Sequence, residues 1–204
     1  MKKEFLQYDV VRNNALKLAH RIYNDGFTPD IIYVSLRGGA YLGNVISEYY
    51  KVVHRGVRPV YYAAMVARSY TGVRESDNVK VEGWTYGPDA LRTGDKVLLV
   101  DDIFDTGKTI NHLAMMILDK GITRKDLKVA VHDYKYFYNK AEQLPIQPDY
   151  WCRKHELSVK DEDMWIHYMS HELVGLNDEE LEKHYYENDP ELREVLQVLS
   201  RKPE

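Results

Sequence analysis

The sequence predicts an α/β fold, a mainly parallel sheet flanked by helices. Three observations predict it. Short β-branched apolar runs alternate with amphipathic stretches, two glycine-bearing turns follow such runs, and VLLV at 97–100 is apolar throughout, as a strand covered on both faces requires. The 204 residues suffice for one such domain and are too few for two ordinary ones, so a single domain over 1–204 is expected.

Val11, Leu16, Leu18, Ala19, Ile22 and Tyr23 recur at helical spacing, and Gly26 stands where a helix C-terminus favours it, so 8–23 reads as a helix. DIIYVS (30–35) is a strand, LRGGA a glycine turn, and a helix runs from there to about Tyr50. PVYYAAMVA (59–67) is a second strand. The polar, glycine-containing segment 68–94 is a long loop or a ragged hairpin. KVLLVDD (96–102) is a buried strand, a helix is expected over 109–120, and DLKVAVHDY (126–134) is the next strand. After Pro148 come aromatic-rich short segments, then two short helices. The first is capped by Asn177 with Glu180 three residues on, the second opens at Asp189-Pro190.

Composition narrows the function. A formal charge of -4 provides no general attraction to nucleic acid or acidic membranes, so any polyanion must be held locally. Cys152 is the only cysteine, which excludes an internal disulfide and a multi-cysteine zinc site and fits a reducing compartment. MKKEFLQYDVV is interrupted by polar residues before any apolar stretch develops, so no signal peptide is expected. No apolar run approaches a membrane span. A cytoplasmic protein is expected.

The densest chemistry lies at 98–110, LLVDDIFDTGKTI. Its Gly107-Lys108-Thr109 ending suggests a triphosphate loop, but G-x-x-x-x-G-K-[ST] needs a glycine five residues before Gly107, where Asp102 stands. A carboxylate at the mouth of an anion cradle defeats that reading. RGGAYLG likewise fails the dinucleotide fingerprint, because Ala40 takes the place of its second glycine. What remains is an acidic pair, Asp101-Asp102, at a strand end, and a turn whose amides at 105–109 open a helix. Free amides and the helix dipole suit a monophosphate, with Thr106 and Thr109 hydroxyls as further donors. Two carboxylates nearby suit a diol or magnesium. The ligand implied is a sugar phosphate.

VLLVDDIFDTGKT (97–109) resembles the phosphoribosyl-pyrophosphate motif of type I phosphoribosyltransferases: four apolar residues, an acidic pair, two apolar residues, and a loop ending T-G-x-T. The resemblance implies that family's fold, with a core of about 28–140, a small hood of about 145–175 and C-terminal helices over 177–200. It implies that Asp101 and Asp102 hold the ribose hydroxyls, directly or through Mg2+ and water, and that Asp105, Thr106, Gly107, Lys108 and Thr109 hold the 5′-phosphate. An aspartate at 105 resembles the 6-oxopurine branch, where it manages the proton at N7 of the base and is the catalytic residue.

Other segments resemble the same branch. SLRGG (35–39) is similar to the pyrophosphate loop, in which Leu36, Arg37, Gly38 and Gly39 would meet the leaving group, and it implies a cis peptide at Leu36–Arg37. Ser69-Tyr70 resembles the Ser-Tyr pair of a mobile lid that would exclude water. Lys135 in HDYKYF resembles the lysine that donates to O6, although Tyr136 stands where a proline usually follows, and His132 competes for the role. PDYW and DMWIHYMSHE resemble the PDY and WI segments of the hood, with Trp165 stacking on the base and Ile166 offering backbone contacts. Met169-Ser170 replaces the usual proline-tryptophan pair, which leaves the preferred purine open. His167, His171 and Glu172 could chelate a metal, but packed or hydrated histidines are the plainer reading, since the spacing is not H-E-x-x-H.

The resemblance implies a Mg2+-dependent purine salvage enzyme that transfers the phosphoribosyl group of phosphoribosyl pyrophosphate to hypoxanthine, guanine or xanthine. Its products would be a nucleoside monophosphate and pyrophosphate, and its form a homodimer or homotetramer. Nucleic acid and membrane partners are not expected. Two alternatives stand: a regulator that senses phosphoribosyl pyrophosphate on the same fold, and a pyrimidine phosphoribosyltransferase.

Overall fold

The computed structural model describes residues 2–69, 79–140, 143–158 and 164–197. In chain order the elements are β1 (Lys2–Leu6), α1 (Tyr8–Asn24), β2 (Ile31–Leu36), α2 (Gly39–Val53), β3 (Tyr61–Ser69), β4 (Val79–Trp84), β5 (Val97–Phe104), α3 (Lys108–Leu118), β6 (Leu127–Phe137), β7 (Tyr150–Leu157), β8 (Met164–Tyr168), α4 (Asp178–Leu181) and α5 (Leu192–Val195). They form two compact units, one over 9–161 and one over 1–8 with 162–204. Among the described residues, no helix is long and apolar enough to cross a membrane.

The larger unit is built on a six-stranded sheet in the order β4-β3-β2-β5-β6-β7, parallel except for β4, which runs against β3. Its middle strands are apolar on both sides because both sides are covered. Ala15, Leu18, Ala19 and Ile22 of α1 and Leu42, Ile46 and Tyr50 of α2 pack on Ile32, Val34, Leu98, Val100 and Ala130. On the opposite face Ile110, Leu113, Ala114 and Ile117 of α3, spaced to form one helical stripe, pack on Ile31, Val97, Leu99, Val129 and Val131. The α2 crossover leads from β2 toward β3, and the α3 crossover leads from β5 away toward β6. The chain therefore reverses direction between β2 and β5, and an α/β sheet opens a crevice at the carboxyl ends of strands there.

The segment after the second strand is a hairpin, with β4 folded back on β3 through a register shift at Val66/Ala67. Residues 150–157 form β7, the outer strand of the core sheet, paired with β6. An edge strand shows no continuous apolar run, and its polar residues hid it. Arg153 Nε and His155 Nε2 each lie 2.7 Å from Asp133 Oδ1 on β6, while His132 Nδ1 lies 2.6 Å from Asp133 Oδ2. The fully buried Asp133 carboxylate thus joins the two strands through Arg153 and His155.

In the smaller unit β1 pairs in parallel with β8, a strand at 2–6 that the sequence pattern did not announce. The Asn177 cap closes a full capping box, Glu180 N donating to Asn177 Oδ1 at 2.9 Å and Asn177 N to Glu180 Oε2 at 3.0 Å. That helix soon widens into a π turn over Glu182–Tyr186. The second helix is a single turn at Leu192–Val195, entered after Glu191 N donates to Asp189 Oδ1 at 3.2 Å. Leu181, Tyr185, Tyr186 and Leu196 form this unit's own core.

Candidate active site

The carboxyl ends of β2, β5 and β6 lie side by side, and the chemistry-bearing residues stand on them. Asp101 and Asp102 lie in the carboxyl-terminal half of β5. Asp101 Oδ1 accepts from Asp102 N at 3.0 Å, Asp102 Oδ1 accepts from Ile103 N at 2.9 Å, and the Ser35 hydroxyl donates to Asp101. Burial, and then the adjacent Asp102 charge, push the Asp101 carboxyl well above the usual carboxylate range, against the pull of the Asp102 amide and Ser35.

The glycine turn after β2 comes down on this pair. A Cβ on Gly38 would lie 2.3 Å from Asp102 Oδ2, and one on Gly39 would lie 2.7 Å from the Val100 carbonyl oxygen and 2.9 Å from Asp101 Cα. Only glycine permits such approach, so the loop predicted to meet pyrophosphate and the pair predicted to hold ribose are in direct contact. The Leu36–Arg37 peptide is cis, as the resemblance implied. Arg37 is exposed beside it.

The loop predicted to hold phosphate, 105–109, runs from the end of β5 into the first turn of α3. Gly107 caps α3 with φ 78, and a side chain there would also collide with the Phe104 ring at 2.2 Å, so glycine is required twice over. The amides of Lys108 and Thr109 start the helix, whose eleven residues supply the dipole. Asp105 is half-exposed at the loop's shoulder. From β6, Lys135, only 4% exposed, reaches it with Nζ 3.1 Å from Asp105 Oδ1. His132 is turned elsewhere: it is fully buried, with Nδ1 on Asp133 and Nε2 3.1 Å from Asn14 Nδ2.

Ser69 ends β3, and Tyr70 lies outside the described residues. Trp165 and Ile166 are both on β8 of the smaller unit. Trp165 is 45% exposed and its Nε1 donates to Glu172 Oε2 at 3.3 Å, whereas Ile166 is buried. His167 is fully buried, with Nε2 3.0 Å from the Tyr185 hydroxyl and Nδ1 3.4 Å from Glu172 Oε2. His171 stacks on Tyr168 and its Nδ1 lies 3.0 Å from Ser170 Oγ.

The acidic pair suits Mg2+. Its carboxylate oxygens are the hard donors that ion takes, and the buried like-charge pair, which raises Asp101, is an arrangement a divalent cation would relieve. Two supporting residues escaped the sequence reading: Ser35 beneath Asp101, and Asn111, which contacts Gly107. The one available signal for Asn111 is its amide beside the apolar stripe of α3, one turn past the loop.

Among curated proteins none matches. Among solved structures, a purine phosphoribosyltransferase from Pyrococcus horikoshii Ot3 is similar at TM-score 0.63 and 20% identity over 87% of this chain and 99% of its own. A hypothetical protein from Neisseria gonorrhoeae with bound ppGpp is similar at 0.59 and 20% over 98% of each chain. A hypoxanthine phosphoribosyltransferase from Trypanosoma cruzi, in complex with the product IMP, reaches 0.51 and 24% over 72% of this chain and 76% of its own. These likenesses establish the shared fold. The profile of the phosphoribosyl transferase domain matches residues 5–161, most of the chain and all of the sheet that carries the acidic pair and its loops, and the protein belongs to that family.

Proposed function

We propose that this protein transfers the 5-phosphoribosyl group of phosphoribosyl pyrophosphate to a 6-oxopurine base in purine salvage, with Mg2+, releasing pyrophosphate and a nucleoside monophosphate. The Lys135–Asp105 pair carries the reading. A lysine ammonium has three donors and no acceptor, and a carboxylate has acceptors only. A 6-oxopurine offers an acceptor at O6 beside N7, whereas adenine offers an amino donor at the 6 position. Lys135 therefore favours an oxo group, and Asp105 beside it suits a proton at N7.

In the reaction, the base nitrogen forms its bond to ribose C1 as the bond from C1 to the pyrophosphate oxygen breaks, through an oxocarbenium-like state. The proton leaving N7 passes to Asp105. The amides over 106–109 and the Thr106 and Thr109 hydroxyls hold the 5′-phosphate. Asp101 and Asp102 orient the ribose hydroxyls, and Leu36, Arg37, Gly38 and Gly39 hold the departing pyrophosphate. Mg2+ bound by the acidic pair would supply positive charge against the diphosphate. Ser69 and Tyr70 belong to the lid in this reading, and the exposed Trp165 indole and the Ile166 backbone serve the base. The resemblance extends to a cytoplasmic protein and to a homodimer or homotetramer, an assembly that sedimentation would check.

A second reading has one observation in its favour. The Neisseria protein, matched over 98% of both chains, holds ppGpp, so a sensor of phosphorylated nucleotides is the alternative. Incubation with phosphoribosyl pyrophosphate, Mg2+ and each of hypoxanthine, guanine, xanthine, adenine and uracil decides. Nucleotide formation with the oxopurines supports the proposal. Turnover of uracil alone overturns it in favour of a pyrimidine enzyme, and no turnover together with ppGpp binding favours the sensor.

A further inference from the structure

The phosphate loop is tied to the end of β6 by a closed circuit of contacts. Asn111 Nδ2 donates to the Gly107 carbonyl at 3.0 Å and to the Ile146 carbonyl at 2.8 Å, and Asn111 Oδ1 accepts from Ile146 N at 2.9 Å. From Ile146 the chain passes to Gln147, whose Oε1 accepts from the Tyr134 hydroxyl at 2.6 Å. The Tyr134 ring meets the Phe104 ring edge-on at 5.4 Å between centroids, and Phe104 fills the space beneath Gly107. The circuit returns to the residue where it began.

Every donor and acceptor of the Asn111 side chain is engaged, and the residue is buried. Gly107, held at positive φ, also accepts from Asn111 N at 2.9 Å, so the whole first turn of α3 hangs from one carbonyl. Nothing in the stability of a short helix demands this, since the carbonyl already has its backbone partner. What the second bond and the strap over 146–147 add is a fixed height and tilt for the amides at 107–109, referred to the strand end that carries Lys135.

Resting on the phosphoribosyltransferase reading, we propose that Asn111 is a positioning residue for the 5′-phosphate. Through Ile146, Gln147 and Tyr134 it holds the loop in the geometry that a phosphate monoester needs. A preorganised cradle binds more tightly because less ordering remains to be done when the ligand arrives. Asn111 does not itself touch the ligand.

The test uses ribose 5-phosphate as probe, with calorimetric Kd, and kcat and KM for phosphoribosyl pyrophosphate. Asn111→Leu keeps the branched shape, with somewhat larger methyl groups, and removes all three side-chain bonds, whereas Tyr134→Phe keeps the ring on Phe104 and removes only the bond to Gln147. The ribose 5-phosphate Kd and the KM should rise about tenfold in Asn111→Leu and about threefold in Tyr134→Phe, with kcat changed less than about twofold. A merely structural role would reduce the active fraction, hence kcat, and leave KM alone. Unchanged Kd in the variants, or a loss confined to kcat, overturns the positioning role. Should Asn111→Leu fail to fold, Tyr134→Phe decides by itself. If the unmodified protein binds no ribose 5-phosphate, the phosphate-site reading fails first and the proposal fails with it, an outcome visible before any variant is made.

Discussion

Lys135 Nζ stands 3.1 Å from Asp105 Oδ1, joining the ends of two adjacent parallel strands across the mouth of the phosphate loop. A buried ammonium and a half-exposed carboxylate are thereby presented together, one all donor and the other all acceptor. Lys135→Met should lower kcat/KM for the preferred oxopurine on the order of 10–100-fold, the worth of a hydrogen bond from a charged group, and should narrow its margin over adenine. Parallel assays with both bases check this, and an unchanged margin would remove Lys135 from base selection.

Asp105→Asn retains the size and acceptor of the side chain but accepts no proton readily. Steady-state kinetics should show kcat reduced by about 10²–10⁴-fold, with KM for phosphoribosyl pyrophosphate little altered. A rise in KM without loss of kcat would assign Asp105 to phosphate binding only.

The two loop glycines should respond differently to alanine. The Gly38 Cβ meets a side chain, with Asp102 Oδ2 at 2.3 Å, so Gly38→Ala should displace the carboxylate proposed to hold ribose and raise KM while sparing the fold. The Gly39 Cβ meets backbone, Val100 O at 2.7 Å, which has nowhere to go. Gly39→Ala should therefore lose about 1–3 kcal/mol of stability in urea denaturation.

The acidic pair opposes folding. Because Asp101 is raised by burial and by Asp102, the folded chain holds a proton that the unfolded chain has released. Stability contributed by the protonated carboxyl is present below the ordinary aspartate value of 3.8 and is lost as pH rises through the raised one. At neutral pH Asp101→Asn should raise Tm by about 2–4 °C, the effect of roughly 1 kcal/mol in a domain of this size. Mg2+ should raise Tm of the native sequence and not of the variant. Calorimetric scans with and without the ion read both, and a destabilised Asp101→Asn would contradict the account.

Asp133 should behave in the opposite way. Its carboxylate is fully buried among His132, Arg153 and His155. Asp133→Leu strands those partners and should cost about 3–5 kcal/mol, seen as a lower urea midpoint at unchanged slope.

The sequence alone determined the alternation of strands and helices, the exclusion of a triphosphate loop through Asp102, and the family, because each rests on local order along the chain. Periodicity sets which face of α1 or α3 is buried, and the motif at 97–109 is one contiguous strand, turn and helix start. Only the tertiary structure decided that Lys135, rather than His132, meets Asp105, because packing around β6 holds His132 inside against Asp133 and Asn14 while Lys135 reaches Asp105. It also decided that β7 belongs to the core sheet and that β1 pairs with β8. Edge strands and short parallel pairs are held by partners distant in sequence, and their own composition shows little of it. The Asn111 circuit is the clearest case: an asparagine in a helix reads as neutral until the fold brings Gly107 and Ile146 to its two ends.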